Sequence, residues 1–101
     1  MLSNFRTYQL AKEFYSICQN LRFKSPLKDQ FERAALSIVL NLAEGSAKPT
    51  QADRKRFYSI AMGSLRETQA ILDLCGRVEE LKLLDCVAAS LFRLIQNPGG
   101  R

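Results

Sequence analysis

Proline occurs at only three positions in this 101-residue sequence, Pro26, Pro49 and Pro98. Because proline interrupts the interior of a helix, the long stretches between these positions are where continuous helices can form. In those stretches the apolar residues recur at steps of three and four, which is the period of an amphipathic α-helix and not of a strand. The spacing predicts four helices, over about residues 4–21, 27–44, 51–77 and 84–96.

The connections between these helices are short, and short connections place neighbouring helices antiparallel. A chain of this length is sufficient for one domain built around one core. We therefore expect an all-α fold, an antiparallel up-and-down four-helix bundle, formed by a single domain over residues 1–101.

Four residues carry local signals about the helices. Thr50 and Asp53 have the spacing of a capping box, which predicts the start of the third helix. Gly45 stands where a left-handed residue is expected to end the second helix. Gly63 lies inside the third helix, where glycine costs about 1 kcal/mol relative to alanine, and this predicts a close approach of another backbone.

The second helix is apolar almost all the way round. Between residues 34 and 43 only Ser37 and Asn41 are polar. A surface helix of a monomer normally keeps one polar face towards water. We therefore expect this helix to be buried on more than one side, as it would be in a homo-oligomer.

Polar residues follow matching lines on the second and third helices, at steps of three and four. Antiparallel packing would set Arg33 opposite Glu67, and would set Glu44 opposite Arg56 at the other end. Between these ends it would set Ser37 opposite Gly63 and Asn41 opposite Ser59. We expect a structural polar seam held by ion pairs, although the same residues could instead form a carboxylate site or a nucleotide pocket. The seam comprises Arg33, Ser37, Asn41, Glu44, Arg56, Ser59, Gly63 and Glu67.

The residues needed for catalysis and for metal binding are largely missing. The chain has no histidine, the commonest general base and metal ligand. Its three cysteines, Cys18, Cys75 and Cys86, match no zinc-ligand spacing and are expected to be small buried apolar residues. No glycine-rich phosphate loop is present. We expect no catalytic site, no metal and no cofactor, and thus a protein that is not an enzyme.

The same features indicate where the protein resides. An odd number of isolated cysteines favours a reducing compartment. The first residues lack the pattern of a signal peptide, and no run of about 18 apolar residues could span a bilayer. We expect a cytoplasmic protein with no membrane partner.

The charge is distributed unevenly along the chain. Residues 1–66 carry eleven basic and five acidic side chains, a net charge of +6, whereas residues 67–101 carry a net charge of −1. A basic segment attracts polyanions, although the same charges are also compatible with an ordinary solvated surface. The candidate nucleic-acid-binding residues form two groups: Lys48, Arg54 and Lys55 around the second loop, and Arg22, Lys24 and Lys28 near the start of the second helix.

Two long motifs resemble those of a known family. Residues 33–45 read RAALSIVLNLAEG, and residues 56–67 read RFYSIAMGSLRE. They resemble the signatures RAAxSIxxNxAEG and RFxxIAxGSxxE of the bacterial four-helix-bundle proteins named for 23S rRNA intervening sequences. Tyr8-Gln9-Leu10-Ala11 is similar to the start of the same proteins, and the match covers about residues 4–76.

The resemblance implies a bundle that assembles into a ring, often a pentamer. Some members of the family are encoded inside ribosomal RNA genes. The fold is more distantly similar to the accessory variability proteins of diversity-generating retroelements, which bind nucleic acid and a reverse transcriptase.

Two functions are consistent with these observations. The first is a non-catalytic homo-oligomer that binds RNA or DNA through a basic surface. The alternative is a protein-interaction scaffold or accessory subunit, for example of a reverse transcriptase, without direct contact to nucleic acid.

Overall fold

The computed structural model describes residues 2, 5–23 and 26–100. Four helices account for most of this part of the chain: α1 (Arg6–Ile17), α2 (Leu27–Ser46), α3 (Gln51–Leu74) and α4 (Val78–Gln96). A short 3₁₀ turn, Cys18–Asn20, follows α1. The helices form an elongated bundle of 40 × 20 × 20 Å, so the predicted all-α fold is confirmed. Within the described ranges, no helix combines the length and the apolarity needed to cross a bilayer.

Each helix packs against its neighbours in the chain, and α1 also packs against α4, so that the four helices enclose one core. The hairpin of α2 and α3 forms the most extensive of these contacts. The core is made of side chains from all four helices that recur at helical spacing. Its largest fully buried aliphatic members are Ile38, Leu42, Leu65, Leu72, Leu84, Val87 and Leu91.

The turn between α3 and α4 is tighter than predicted. The amide of Arg77 donates to the carbonyl of Leu72 at 2.9 Å, and the amide of Gly76 donates to the carbonyl of Asp73 at 3.1 Å. With Gly76 at φ +67°, this is the Schellman arrangement that ends a helix. Helix α3 therefore ends three residues before its predicted end, and α4 begins six residues before its predicted start.

The beginnings of α1 and α3 differ in how well the sequence predicted them. The Thr50 side chain accepts a hydrogen bond from the amide of Asp53 at 3.1 Å, so this predicted helix start is confirmed. Helix α1 begins at Arg6, after Phe5. Asn4, where the first helix was predicted to begin, lies outside the described residues.

The predicted roles of Gly45 and Gly63 are both wrong. Gly45 does not end α2 in a left-handed conformation, because it lies inside the helix and is buried. A Cβ atom added there would lie 2.7 Å from Cε1 of Tyr58, so it is Gly45 that permits the close approach. At Gly63 an added Cβ would meet nothing within 4 Å, because this glycine faces outwards from α3.

Candidate nucleic-acid interface

The up-and-down topology brings three separate segments to one end of the bundle. These are the start of α1, the continuous stretch from the end of α2 through the loop 47–50 to the start of α3, and the end of α4. Two contacts join them: the rings of Phe5 and Tyr58 lie 6.0 Å apart, and the hydroxyls of Thr7 and Ser90 form a hydrogen bond of 2.6 Å. This end is therefore one continuous surface, although its residues are distant in sequence.

The net positive charge of the described chain is concentrated at this end, which we call the basic end. Six basic side chains lie there with only two acidic ones, Glu44 and Asp53, giving a net charge of +4. The other described residues carry seven basic and eight acidic side chains, a net charge of −1. The basic side chains of the basic end are Arg6, Lys48, Arg54, Lys55, Arg56 and Arg93.

Contacts within the loop between α2 and α3 fix its conformation. The Arg54 side chain donates from Nε to the carbonyl oxygen of Lys48 at 2.7 Å. The Lys48 ammonium lies 3.2 Å from a carboxylate oxygen of Glu44 and 5.0 Å from the centre of the Phe57 ring. The Arg56 guanidinium also lies over Phe57, at 4.7 Å. The loop thus presents its cations on an ordered aromatic and hydrogen-bonded base, with Lys55 exposed beside them.

The described part of the second candidate group, Arg22 and Lys28, lies at the opposite end of the bundle. Arg22 and Lys28 are exposed there, and Lys24 lies outside the described residues. The carbonyl of Arg22 accepts a hydrogen bond of 3.0 Å from the Arg77 side chain, so the backbone at this position is tied to the turn before α4. Because acidic side chains balance the basic ones over the rest of the described chain, this group does not form a second basic end.

The ion pairs of the predicted polar seam are not present. Arg33 and Glu67 are both exposed, and no salt bridge within the described residues links α2 to α3. Glu44 pairs with Lys48 instead of Arg56. Arg56, Ser59 and Gly63, the other seam residues of α3, are exposed as well.

The polar contact that does join α2 to α3 is displaced by one residue from the predicted register. Ser37 and Ser64 are linked through their hydroxyls at 2.7 Å, where the prediction set Ser37 opposite Gly63. Asn41 remains within α2, since its amide donates to the Ser37 carbonyl at 2.9 Å. This register follows from burial of the apolar stripes of both helices. With Ile38 and Leu65 in the core, the charged residues lie on the outward side.

Arg6 and Arg93 were not among the residues predicted from the sequence. Each is distant in sequence from the cationic group around the second loop, and the fold brings them to the same end of the bundle. The signal was nevertheless available, because an up-and-down bundle necessarily places the start of its first helix beside the end of its fourth. Both side chains are exposed, and neither forms a salt bridge with a carboxylate of the described residues.

The three cysteines differ in their burial. Burial raises the pKa of the Cys18 thiol to about 12, and the negative charge of Glu80 adds to the effect, so this group stays protonated at neutral pH. Cys75 is half-buried, and Cys86 is exposed, which contradicts its predicted burial. Among the described residues, no three cysteine, aspartate or glutamate side chains are grouped closely enough to hold a metal ion.

The fold and this surface together define a small four-helix bundle with one basic end. Residues 5–90 match the family described as 23S rRNA-intervening sequence protein. Because this match spans most of the chain, the protein belongs to that family, as the two motifs indicated. Comparison with the curated proteins finds no match.

Proposed function

We propose that this protein is a non-catalytic homo-oligomer that binds RNA or DNA through phosphate contacts at the basic end. The observation that carries the proposal is the separation of charge: a net +4 at one end against −1 over the rest of the described chain. Concentrated Lys and Arg side chains release counterions from a nucleic-acid backbone and bind it without reading bases. The N-terminus of α3 adds the positive end of its dipole to the same surface.

Salt dependence tests this function directly. For mixed-sequence single-stranded RNA, we expect the affinity per protomer to fall on the order of 100-fold between 50 and 200 mM salt, as four or five phosphate contacts would produce. Fluorescence anisotropy with a labelled oligonucleotide measures it. Affinity that does not change with salt, or no binding at low salt, would contradict the proposal.

The homo-oligomer is supported by an exposed apolar strip on the α2–α3 hairpin. Leu36 and Leu40 on α2 and Ile60 on α3 are between 38% and 56% exposed. The prediction that α2 is buried on more than one side is thus not met within one chain. A second copy fits this strip because the outward charges on its borders, including Arg33 and Glu67, are opposite in sign and lack partners across the hairpin. We expect light scattering at micromolar concentration to give a mass above the 11.4 kDa of one chain.

Gly63 lies on this strip and provides a test of it. In a free chain Gly63→Ala should stabilise α3 by about 1 kcal/mol, because the added methyl meets no atom within 4 Å. In an oligomer that packs on this strip, the same methyl enters the interface, and we expect Gly63→Ala to shift the protein towards monomer. Sedimentation velocity measures the shift, with Lys82→Ala on the exposed side of α4 as control. A variant that gains stability at unchanged mass would show that the strip is free.

The alternative is a scaffold or accessory subunit, such as one that serves a reverse transcriptase, whose charge is incidental. It is favoured by further exposed apolar side chains outside the hairpin, Val78 and Phe92 on α4. An oligomer that forms normally but binds neither RNA nor DNA at low salt would favour this alternative over our proposal.

A further inference from the structure

A pocket of about 220 Å³ opens at the basic end, between the first turn of α1 and the last turns of α4. Thr7 and Ser90 lie at its base, both nearly fully buried, with their hydroxyls 2.6 Å apart. Arg6 and Arg93 stand at its rim together with the side chain of Asn97. Cationic and hydrogen-bonding side chains therefore line the pocket, together with Leu94 and Gly100.

The two arginines of the rim are unusual in their electrostatics. Arg93 lies in the last turn of α4, where a cation is favourable to the helix dipole. Arg6 lies in the first turn of α1, where a cation is unfavourable, and no acidic residue of that turn offsets it. Neither guanidinium has a carboxylate of the described residues within salt-bridge distance. An anion bound between Arg6 and Arg93 would supply the charged partner that both guanidiniums lack.

We propose that this pocket binds a phosphate monoester group. Guanidinium groups form paired, charge-assisted hydrogen bonds to phosphate oxygens. Because Thr7 and Ser90 share one hydrogen bond, one hydroxyl of the pair can donate to a phosphate oxygen, and the Asn97 amide can donate as well. The volume is below the roughly 300–1,000 Å³ of sites for drug-sized ligands, so the pocket suits the phosphate itself and not a whole nucleotide. The phosphate can belong to a free mononucleotide or to the end of a nucleic-acid chain.

This proposal extends the proposed function without requiring it. Backbone phosphates are diesters and would lie across the exposed cations of the loop, whereas a terminal monoester carries an additional charge and can enter a pocket. The chain could therefore bind RNA along its backbone without using the pocket, or bind a mononucleotide in the pocket without binding RNA.

The first test uses adenosine 5′-monophosphate and inorganic phosphate as probes. Amide chemical shifts locate their binding site, and titration calorimetry measures their affinity. We expect both probes to shift the amides of residues 6–7 and 90–97, and adenosine without phosphate to leave them unchanged. Arg6→Gln combined with Arg93→Gln should weaken binding of adenosine monophosphate at least about tenfold, since each lost contact is charge-assisted. The matched control is Lys12→Gln with Lys82→Gln, which removes the same charge elsewhere and should change binding less than about twofold.

A second test identifies the source of the phosphate and separates this proposal from the proposed function. A six-nucleotide RNA with a 5′-phosphate should bind at least about tenfold more tightly than the same RNA with a 5′-hydroxyl, if the pocket holds chain ends. Adenosine monophosphate binding without this preference identifies the free mononucleotide. Equal binding of the two RNAs, with no shift from either small probe, would overturn the pocket while leaving backbone binding intact. An equal loss in the arginine variant and in its control would overturn it as well.

Discussion

Gly45→Ala should destabilise the bundle, even though the substitution places a better helix former inside α2. The added Cβ would lie 2.7 Å from Cε1 of Tyr58 and 3.0 Å from Cβ of Phe57, both closer than packed carbon atoms approach. Tyr58 is 2% exposed and packs on the fully buried Phe5, so its ring cannot move aside freely. Overpacking of this kind costs about 1–3 kcal/mol. The gain in helix propensity from glycine to alanine is about 1 kcal/mol, so the overpacking cost equals or exceeds it.

Urea unfolding followed by circular dichroism measures this effect, and Gly45→Val should lower the midpoint further than Gly45→Ala. The control is a double-mutant cycle with Tyr58→Leu, which removes the atom that the new methyl would meet. We expect Gly45→Ala to destabilise the Tyr58→Leu background less than the natural sequence. Equal effects in the two backgrounds would show that contact with Tyr58 is not the reason for glycine at this position.

Reversing the charge of the basic end should have the largest effect on nucleic-acid affinity. We expect the combination of Lys48→Glu, Lys55→Glu and Arg56→Glu to weaken RNA binding at least on the order of 100-fold and to flatten its salt dependence. Arg54 is left intact because its side chain holds the loop through the Lys48 carbonyl. Anisotropy titrations at 50 mM salt measure the loss, and light scattering verifies that the oligomer persists.

The matched control reverses the second candidate group, with Arg22→Glu, Lys24→Glu and Lys28→Glu. Both variants change the net charge by the same amount, so a difference in affinity between them does not come from total charge. We expect the control to lose less than about tenfold in affinity, because Arg22 and Lys28 lie at the opposite end of the bundle, beyond a Debye length of about 8 Å from a nucleic acid at the basic end. Similar losses in both variants would show that total charge, and not its location, governs binding.

The helical period predicted the number of helices, the bundle and the end of α4 at residue 96, but it did not predict the turn between α3 and α4. The turn at Gly76 was missed because Val78 and Leu81 continue an apolar pattern across it, and only the φ of +67° and the backbone hydrogen bonds of the turn reveal the break. The two interior glycines illustrate a related difficulty. Gly45 and Gly63 look alike in sequence, but helix rotation brings one against Tyr58 and turns the other towards solvent.

The predicted seam shows why a face cannot be oriented from spacing alone. Residues 33, 37, 41 and 44 do lie along one side of α2, as their steps of three and four require. Because α2 is apolar nearly all round, its sequence does not distinguish the side that meets α3 from the adjacent outward side. The core selected the side with Ser37 towards Ser64, and the charged ends of the line were left on the surface.

The separation of charge gives each chain an electric dipole along the long axis of its bundle. Copies related by rotation about one axis keep the same direction along that axis. A cyclic ring whose bundles stand along its axis would therefore be two-faced, with every basic end on one side and a nearly neutral opposite side. Such a ring could meet a polyanion from one side only and would leave the other side available to a different partner.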